Sequence, residues 1–401
     1  MGRRISTTCL VAVIALGAVG TGCKKKGEAT TGADAGSVMI PGVGGDLEAF
    51  LRDENAPLTP QIEEQLFLGL KDCNVTDDGI DSKCPGLDRW NKARGRKTVA
   101  KQVLGGSSSL GAKYLGDPSP ALRYKAADLL GSLFGADGAT QKMVVEAAKK
   151  EKVPGVLANM IQTVGSRHKG NDEVKLLLLA SADHPSERVR GEAMGWFLTS
   201  FGQGVPGTFE KVTEKLASDP SIKVRQRLCS KLYGSGDERA LPLLEKYLLD
   251  KSTPQELYQG CFEGSVATWS GFPRPDKPQQ KGFELTMKAL EATPRTKDRP
   301  PWMGISSMRN ATLTPKADDR TGSEWVAKVK PWFKQDRFHK ALEAVAMDPY
   351  ANWMTRGNCV DVMKETGAPK ASMERMLKKL DKATGDEALV KKRIEDALKA
   401  M

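Results

Sequence analysis

Histidine and serine side chains are common sites of catalysis or metal binding, and here their spacing predicts neither. The chain has three histidines, and none of His168, His184 and His339 lies at metal-site spacing from another histidine or a cysteine. His184 falls inside a turn-forming stretch, where a solvated loop residue is the simpler interpretation. Residues 106–111 lack the glycine that a nucleophile elbow needs two places after Ser108. With no phosphate loop or dinucleotide fingerprint either, we predict no catalytic residue, no metal and no cofactor.

Cys73 and Cys84 have the spacing of a small disulfide loop. They bracket residues 74–83, a polar stretch rich in turn-forming residues. In an oxidising compartment such a pair is a disulfide candidate, with two buried thiols as the alternative. The aspartates of this loop lack the spacing of an EF-hand, so a solvated loop is favoured over a calcium site.

The N-terminus has the layout of an export signal. Arg3 and Arg4 precede an apolar run, residues 9–19, that is too short to span a bilayer comfortably. The run ends in Val-Gly-Thr-Gly-Cys at residues 19–23, which resembles the lipobox of bacterial lipoproteins, although its first glycine departs from the Leu-like residue of that motif. The resemblance implies cleavage before Cys23 and lipid attachment to its sulfur, which would hold the protein on a membrane. An ordinary signal peptide or a retained anchor helix is the alternative.

Residues 23–45 are polar, rich in small residues and without periodicity. Such a segment cannot bury a core and should be a flexible, disordered tether. Lysine rather than aspartate follows Cys23, which resembles lipoproteins sorted to the outer membrane. We therefore expect anchoring in the outer rather than the inner membrane, with the body of the protein in the periplasm.

The composition favours a long soluble body. With 401 residues, 39% hydrophobic and 28% charged, the chain exceeds the usual size of one core and suggests several domains or a repeat array. The formal charge of +11 is not gathered into one basic arm or helix, so nucleic acid is not an expected partner.

A recurring phrase starts at about residue 115, where helical segments alternate with short breaks. The phrase is a turn, mostly Asp-Pro, followed by a helix that carries an arginine near its start. It occurs with Arg123, Arg190, Arg225 and, more loosely, Arg356. The gaps between these arginines are near multiples of about 33 residues, a period typical of stacked helical hairpins.

This pattern resembles the HEAT repeat family in its short, phycocyanobilin-lyase-like form. The match is most specific at residues 183–250, with Pro242 in a first helix, Asp219 in a turn and Val224-Arg225 early in a second helix. The resemblance implies an all-α fold, a right-handed α-solenoid of HEAT-like hairpins, in which Asp and Arg of neighbouring turns form a ladder. The corresponding ladder residues are Asp117, Arg123, Asp183, Arg190, Asp219 and Arg225.

Three further cysteines, Cys229, Cys261 and Cys359, each fall three or four places after the arginine position of a repeat. We interpret them as a recurring small core position rather than as a metal or redox cluster.

The chain then divides into a signal peptide at 1–22, a tether at 23–45, an irregular helical cap at 46–112 and HEAT-like repeats at 113–401. The amphipathic helix that ends the chain would cap the last repeat, with a partner-binding coiled coil as the alternative.

A Pro-rich interruption at 271–302 departs from the repeat pattern, and insertions in repeat arrays often project from the binding face. Its flanks supply residue types enriched in protein interfaces. The candidate partner-binding residues are Trp269, Phe272, Arg274, Arg299 and Trp302. The alternative is that the tryptophans fill gaps between irregular repeats.

We therefore expect a monomeric, lipid-anchored, non-catalytic scaffold that binds an unidentified protein or peptide of the cell envelope. The alternative is an enzyme, or an accessory factor of one, acting on an envelope substrate. A ligand-binding lipoprotein that feeds a transporter is disfavoured, because the two-lobed α/β pattern is missing.

Overall fold

The computed structural model describes residues 46–96, 107–134, 138–167, 171–201, 206–235, 239–270, 279–292, 305 and 331–401. All of these residues lie in one compact unit of the chain. The signal segment 1–22, the tether 23–45 and Cys23 fall outside the described residues. So do four of the candidate partner-binding residues, Phe272, Arg274, Arg299 and Trp302.

Most of the described residues lie in helices, and the described chain is all-α apart from one short β-hairpin. In chain order they are α1 (Asp46–Arg52), α2 (Pro60–Leu68), α3 (Pro85–Arg94), α4 (Ser107–Tyr114), α5 (Pro120–Phe134), α6 (Gly138–Lys150), α7 (Pro154–Arg167), α8 (Asp172–Ala180), α9 (Glu187–Phe201), α10 (Thr208–Ser218), α11 (Ile222–Lys231), α12 (Ala240–Leu249), α13 (Gln255–Ser270), α14 (Gln280–Ala292), α15 (Asp336–Ala346), α16 (Trp353–Glu365), α17 (Lys370–Lys379) and α18 (Asp386–Ala400). A short 3₁₀-helix, Leu232–Ser235, follows α11 directly.

The N-terminal segment contains a β-hairpin between α2 and α3. Its strands β1 (Val75–Thr76) and β2 (Gly79–Ile80) are antiparallel, with Val75 opposite Ile80. Gly79 has a φ of 124°, a backbone conformation that residues with a side chain rarely adopt. The segment predicted as an irregular helical cap is therefore mixed, and its predicted end at residue 112 falls inside α4.

From α4 onward the helices form hairpins, and α11 illustrates why. The Ser221 hydroxyl accepts a hydrogen bond from the Val224 amide at 3.4 Å, which caps the start of the helix. Val224, Leu228 and Cys229 are buried together because helical periodicity places them on one face. Helix α11 thus combines a capped polar turn with one buried face.

The second helices of successive hairpins pack side by side. Helix α5 contacts α7, α7 contacts α9, α9 contacts α11, and α11 contacts α13. We call these helices the second-helix row. Among the first helices, α6 contacts α8 and α12 contacts α14. A hairpin alone would leave its apolar stripe in water, so the neighbours bury it.

Trp269 belongs to the core, so its prediction as a partner-binding residue was wrong. The side chain is fully buried, and its Nε1 donates to Thr286 Oγ1 at 2.9 Å. Its ring packs edge-to-face on Phe283, with 5.1 Å between the ring centroids. Helix α14 lies within the predicted Pro-rich interruption and packs against α13, which removes Trp269 from solvent.

The C-terminal helix α18 contacts α16 and α17 and buries Val390, Ile394 and Ala397. Among the described residues, no helix is both long and apolar enough to cross a membrane.

Candidate functional site

The turn ladder is clearest between α9 and the turn that follows α10. Arg190 donates Nε and Nη2 to the two carboxylate oxygens of Asp219, at 2.8 and 2.9 Å. Its Nη1 donates to the backbone carbonyls of His184 and Pro185, at 3.0 and 2.9 Å. The Asp219 carboxylate also accepts the Ser221 amide at 2.9 Å. This bidentate pair links two hairpins through buried and well-bonded charges.

Arg123 in α5 makes the same arrangement with Glu151, a residue that was not predicted from the sequence. Its Nε and Nη2 donate to the Glu151 carboxylate at 2.7 and 2.9 Å, and its Nη1 donates to the Asp117 carbonyl at 2.8 Å. Glu151 lies 28 residues after Arg123, and Asp219 lies 29 residues after Arg190. That common spacing is the signal that could have identified Glu151.

Asp183, predicted as a ladder residue, does not pair with an arginine of the preceding hairpin. Its side chain is 75% exposed and forms an ion pair with Lys215. The arginine of the ladder is the fourth residue of a second helix, as in α5, α9 and α11, but α7 has Leu157 there. Asp183, in the turn before α9, therefore has no arginine of α7 with which to form a ladder pair.

The remaining predicted ladder residues make local hydrogen bonds. The Asp117 carboxylate accepts the Ser119 amide at 2.8 Å, which shapes the turn before α5. Arg225 donates its Nε to the Leu216 carbonyl at 2.8 Å, near the end of α10. Both contacts stabilise a turn within one hairpin.

Cys73 and Cys84 are joined by a disulfide, with 5.6 Å between their Cα atoms. The β-hairpin that this disulfide encloses packs on the second-helix row, against α5 and α7. A Cβ atom added to Gly155 of α7 would lie 2.1 Å from the carbonyl oxygen of Thr76, so a glycine is required at this contact. The loop is a packed element rather than a freely solvated one.

Cys229 and Cys261 form a second disulfide, so their interpretation as separate core thiols was wrong. They lie in α11 and α13, 32 residues apart, with a Cα–Cα distance of 4.8 Å. One repeat length separates them, which stacks equivalent positions of neighbouring second helices. Gly264 permits this approach, because a Cβ there would lie 2.4 Å from the Cys229 carbonyl oxygen. Cys359 is buried and forms no disulfide with another described cysteine.

Further along the second-helix row lies a second set of charged side chains, held mainly by α9, α11 and α13. We call it the polar cluster and define it as Arg188, Glu192, Trp196, Arg227, Lys231, Tyr233 and Glu263.

Glu192 is the fully buried member of the polar cluster. One carboxylate oxygen accepts from Trp196 Nε1 at 3.0 Å and from Arg227 Nη2. The other lies 3.1 Å from Arg188 Nη2 but makes no hydrogen bond. Arg227 reaches Glu192 over Gly195, where an added Cβ would lie 3.3 Å from the Arg227 Nε atom. Two arginines therefore neutralise one buried carboxylate.

The other charged members have unused hydrogen-bonding capacity. Among the described residues, Lys231 and Glu263 form no hydrogen bond and no ion pair. The Lys231 Nζ lies 5.1 Å from the centroid of the Trp196 ring, a cation–π distance. The Tyr233 hydroxyl and the Arg227 Nε are buried without a hydrogen-bond partner. Native proteins rarely bury such groups unsatisfied.

Burial shifts the ionisation of these groups. It lowers the pKa of Lys231, and the neighbouring positive charge of Arg227 lowers it further. It raises the pKa of Glu263, although Lys231 and Arg227 oppose the change. The pKa of Tyr233 is also raised by burial. Each shift reports that the charged form lacks compensation.

The ladder carboxylates have the opposite shift. Burial alone would raise the pKa of Asp219, but hydrogen bonds from Arg190 and the Ser221 amide outweigh it, and the pKa is lowered. The pKa of Glu151 is lowered in the same way by Arg123 and the Val153 amide. The ladder carboxylates are compensated by hydrogen bonds, whereas Lys231 and Glu263 of the polar cluster are not.

A groove on the first helices α12 and α14 is also lined by charged residues, and all of these except Lys281 form ion pairs within the described chain. Lys288 pairs with Glu245, and Arg337 of α15 pairs with both Glu284 and Glu291. We therefore take the polar cluster as the candidate site. It can bind a polar group of a partner through an ammonium, a guanidinium N–H, a phenol and a carboxyl group.

No group of three or more metal-binding side chains occurs within the described part of the chain. No protein-family model matches this sequence, and no curated protein matches it either.

Proposed function

We propose that this protein is a non-catalytic scaffold that binds a protein or peptide partner at the bacterial cell envelope. The observation that carries the proposal is the polar cluster, where Lys231, Glu263 and the Tyr233 hydroxyl have no partner in the described chain. A buried polar group without a partner costs about 1–3 kcal/mol. A partner that satisfies the buried Tyr233 hydroxyl would recover that cost, and it could add charge-assisted contacts to the half-buried Lys231 and Glu263.

The scaffold in this proposal is a right-handed solenoid of HEAT-like hairpins. Two observations support it: the second helices contact one another in chain order, and Arg123, Arg190 and Arg225 occupy the same position of three of them. Stacked hairpins bury each other's apolar stripes and leave an extended surface for a partner.

The anchor in this proposal is lipid on Cys23, with residues 23–45 as the tether and the body in the periplasm. The lipobox-like residues 19–23 and the following lysines support it and favour the outer membrane. Two disulfides in the described residues fit an oxidising compartment. We expect a monomer, and neither nucleic acid nor a cofactor is part of the proposed function.

Site-specific photocrosslinking in intact cells tests this function. A photoreactive phenylalanine replaces Trp196, a half-buried aromatic of the polar cluster, in the full-length chain. The matched control replaces Leu176, which lies on the first helix α8 and is 65% exposed. We expect a protein or peptide adduct at position 196 and a much weaker one at 176. Equal adducts at both positions, or none at 196, would contradict the proposed site.

A further inference from the structure

The polar cluster has more unused donors than acceptors. The Arg227 Nε–H and the Tyr233 O–H are buried without hydrogen bonds, and the Lys231 ammonium has no anionic partner within hydrogen-bond distance in the described chain. The unused acceptors nearby are the Glu263 carboxyl and the Glu192 oxygen that makes no hydrogen bond. A ligand that brings acceptors would satisfy most of these groups at once.

The net charge of the polar cluster indicates whether its ligand is an anion or a cation. Glu192 is already bound by Arg188 and Arg227, which leaves one positive charge in excess. Lys231 adds a second, and Glu263 is the only other carboxyl of the cluster. With Glu263 counted as a full negative charge, the three cations of the cluster still exceed its two carboxylates by one, which favours an anion.

The backbone beneath these side chains is held in place. The Cys229–Cys261 disulfide joins α11 to α13, and Arg227, Lys231 and Glu263 lie within two residues of its cysteines. Such cross-linking keeps the donors positioned before a ligand arrives, which reduces the ordering cost of binding.

From this geometry we infer that the polar cluster binds a carboxylate side chain of an acidic peptide segment in the partner, held by Lys231, Arg227 and Tyr233. The inference rests on the proposed function and names the class of partner. The carboxylate oxygens accept from the Lys231 ammonium, the Arg227 Nε–H and the Tyr233 hydroxyl. The Trp196 ring lies beside the Lys231 ammonium.

The test uses two matched arrays of random dodecapeptides and the purified full-length protein in detergent. One array contains Asp and Glu, and the other has Asn and Gln at the same positions. A charge-assisted hydrogen bond contributes about 1.5–3 kcal/mol, so we expect about 10- to 100-fold tighter binding to acidic peptides than to their amide counterparts. Equal binding to the two arrays, or no binding to either, overturns the inference.

Two lysines of α11 provide the matched variants. Lys231→Ala should lose about 10-fold or more in affinity for the acidic peptides. Lys223→Ala should leave the affinity unchanged, because Lys223 lies at the exposed start of the helix and pairs with Glu187. An equal loss in both variants would indicate non-specific attraction to a positive surface and would overturn the inference.

A third variant tests whether the bound group is negatively charged. Glu263→Gln removes a carboxyl beside the bound carboxylate and should strengthen binding of acidic peptides, whereas weaker binding would contradict the inference. Thermal unfolding of each variant checks that it is folded, so that a loss of affinity can be assigned to the lost side chain.

The outcomes also separate this inference from the proposed function. A crosslinked adduct at position 196 without a preference for acidic peptides would leave the scaffold function in place and reject the carboxylate. Absence of the adduct in cells would reject the scaffold site, even if acidic peptides bind in vitro.

Discussion

Arg190 and Arg227 lie on neighbouring second helices and differ in how completely their donors are used. Arg190 makes four hydrogen bonds, to both oxygens of Asp219 and to two turn carbonyls. Arg227 reaches Glu192 through Nη2, while its buried Nε has no partner. An arginine at the turns thus uses each of its three nitrogens in hydrogen bonds, whereas an arginine further along the second-helix row leaves its Nε unused.

The difference separates charges that hold the molecule together from charges that can bind something else. A saturated ion pair between hairpins contributes to the folded state, and losing one partner leaves the other buried and uncompensated. Lys231 and Glu263 of the polar cluster lack such a partner, so the folded state has little to lose when either is removed, whereas Glu192 and Arg227 depend on each other as the ladder pairs do. Stability and binding should therefore respond to different arginines, lysines and carboxylates.

The strongest test of this contrast is Arg190→Met, which keeps the aliphatic stem and leaves Asp219 buried without its cation. We expect the free energy of unfolding to fall by about 3–5 kcal/mol, as for other broken buried ion pairs. Urea unfolding followed by circular dichroism measures it. Lys223→Ala, with a lysine side chain that is 73% exposed, is the control and should change little. A loss below about 1 kcal/mol for Arg190→Met would remove the distinction between the regions.

The two disulfides allow a second test, because Cys229–Cys261 joins two helices of the polar cluster and Cys73–Cys84 lies outside it. Cys229→Ala with Cys261→Ala opens a loop of 32 residues, and Cys73→Ala with Cys84→Ala opens one of 11. In the chain-entropy account these changes cost roughly 3.5–4 and about 3 kcal/mol of unfolding free energy. The first double variant should also weaken crosslinking at position 196, since it loosens α11 against α13. If only the Cys73→Ala and Cys84→Ala variant weakened crosslinking at position 196, the Cys229–Cys261 disulfide would not be what positions the polar cluster.

The smallest expected effects come from two glutamates with opposite pKa shifts. Glu263→Gln should raise the free energy of unfolding at pH 7 by about 1 kcal/mol, because it removes a charge that burial disfavours. Glu151→Gln should lower it by about 1–3 kcal/mol, because Arg123 loses its carboxylate partner. Urea titrations of both variants measure the difference, and a change of the same sign in both would contradict it.

The pH dependence follows from the same shifts. The pKa of Glu151 is lowered on folding, so its stabilisation is present above its ordinary value of 4.5 and is lost as the pH falls through the folded value. The pKa of Glu263 is raised, so the associated stability is present below 4.5 and is lost as the pH rises through the folded value. Glu263→Gln should therefore gain more over the parent protein at pH 7 than at pH 4.

Much of the hairpin pattern could be predicted from the sequence because its signals are local. The Ser221 cap, the apolar stripe of α11 and the arginine at the fourth helical position all act within a few residues. Glu151 was missed because its turn lacks the Asp-Pro phrase, although it lies 28 residues after Arg123 and Asp219 lies 29 residues after Arg190. Asp183 was assigned to the ladder because its turn and the following helix match the recurring phrase. The position that should supply its arginine partner is about one repeat earlier and holds Leu157.

The sequence by itself determined an all-helical chain, the start of most hairpins and the cysteine pair 73 and 84, because each depends on neighbours in the chain. Only the tertiary structure decided that Cys229 meets Cys261, that Trp269 is enclosed, and that Lys231 and Glu263 lie half-buried without a hydrogen-bond or ion-pair partner in the described chain. Those outcomes depend on which helices pack together and how closely, and residues about one repeat apart come into contact only when the hairpins stack.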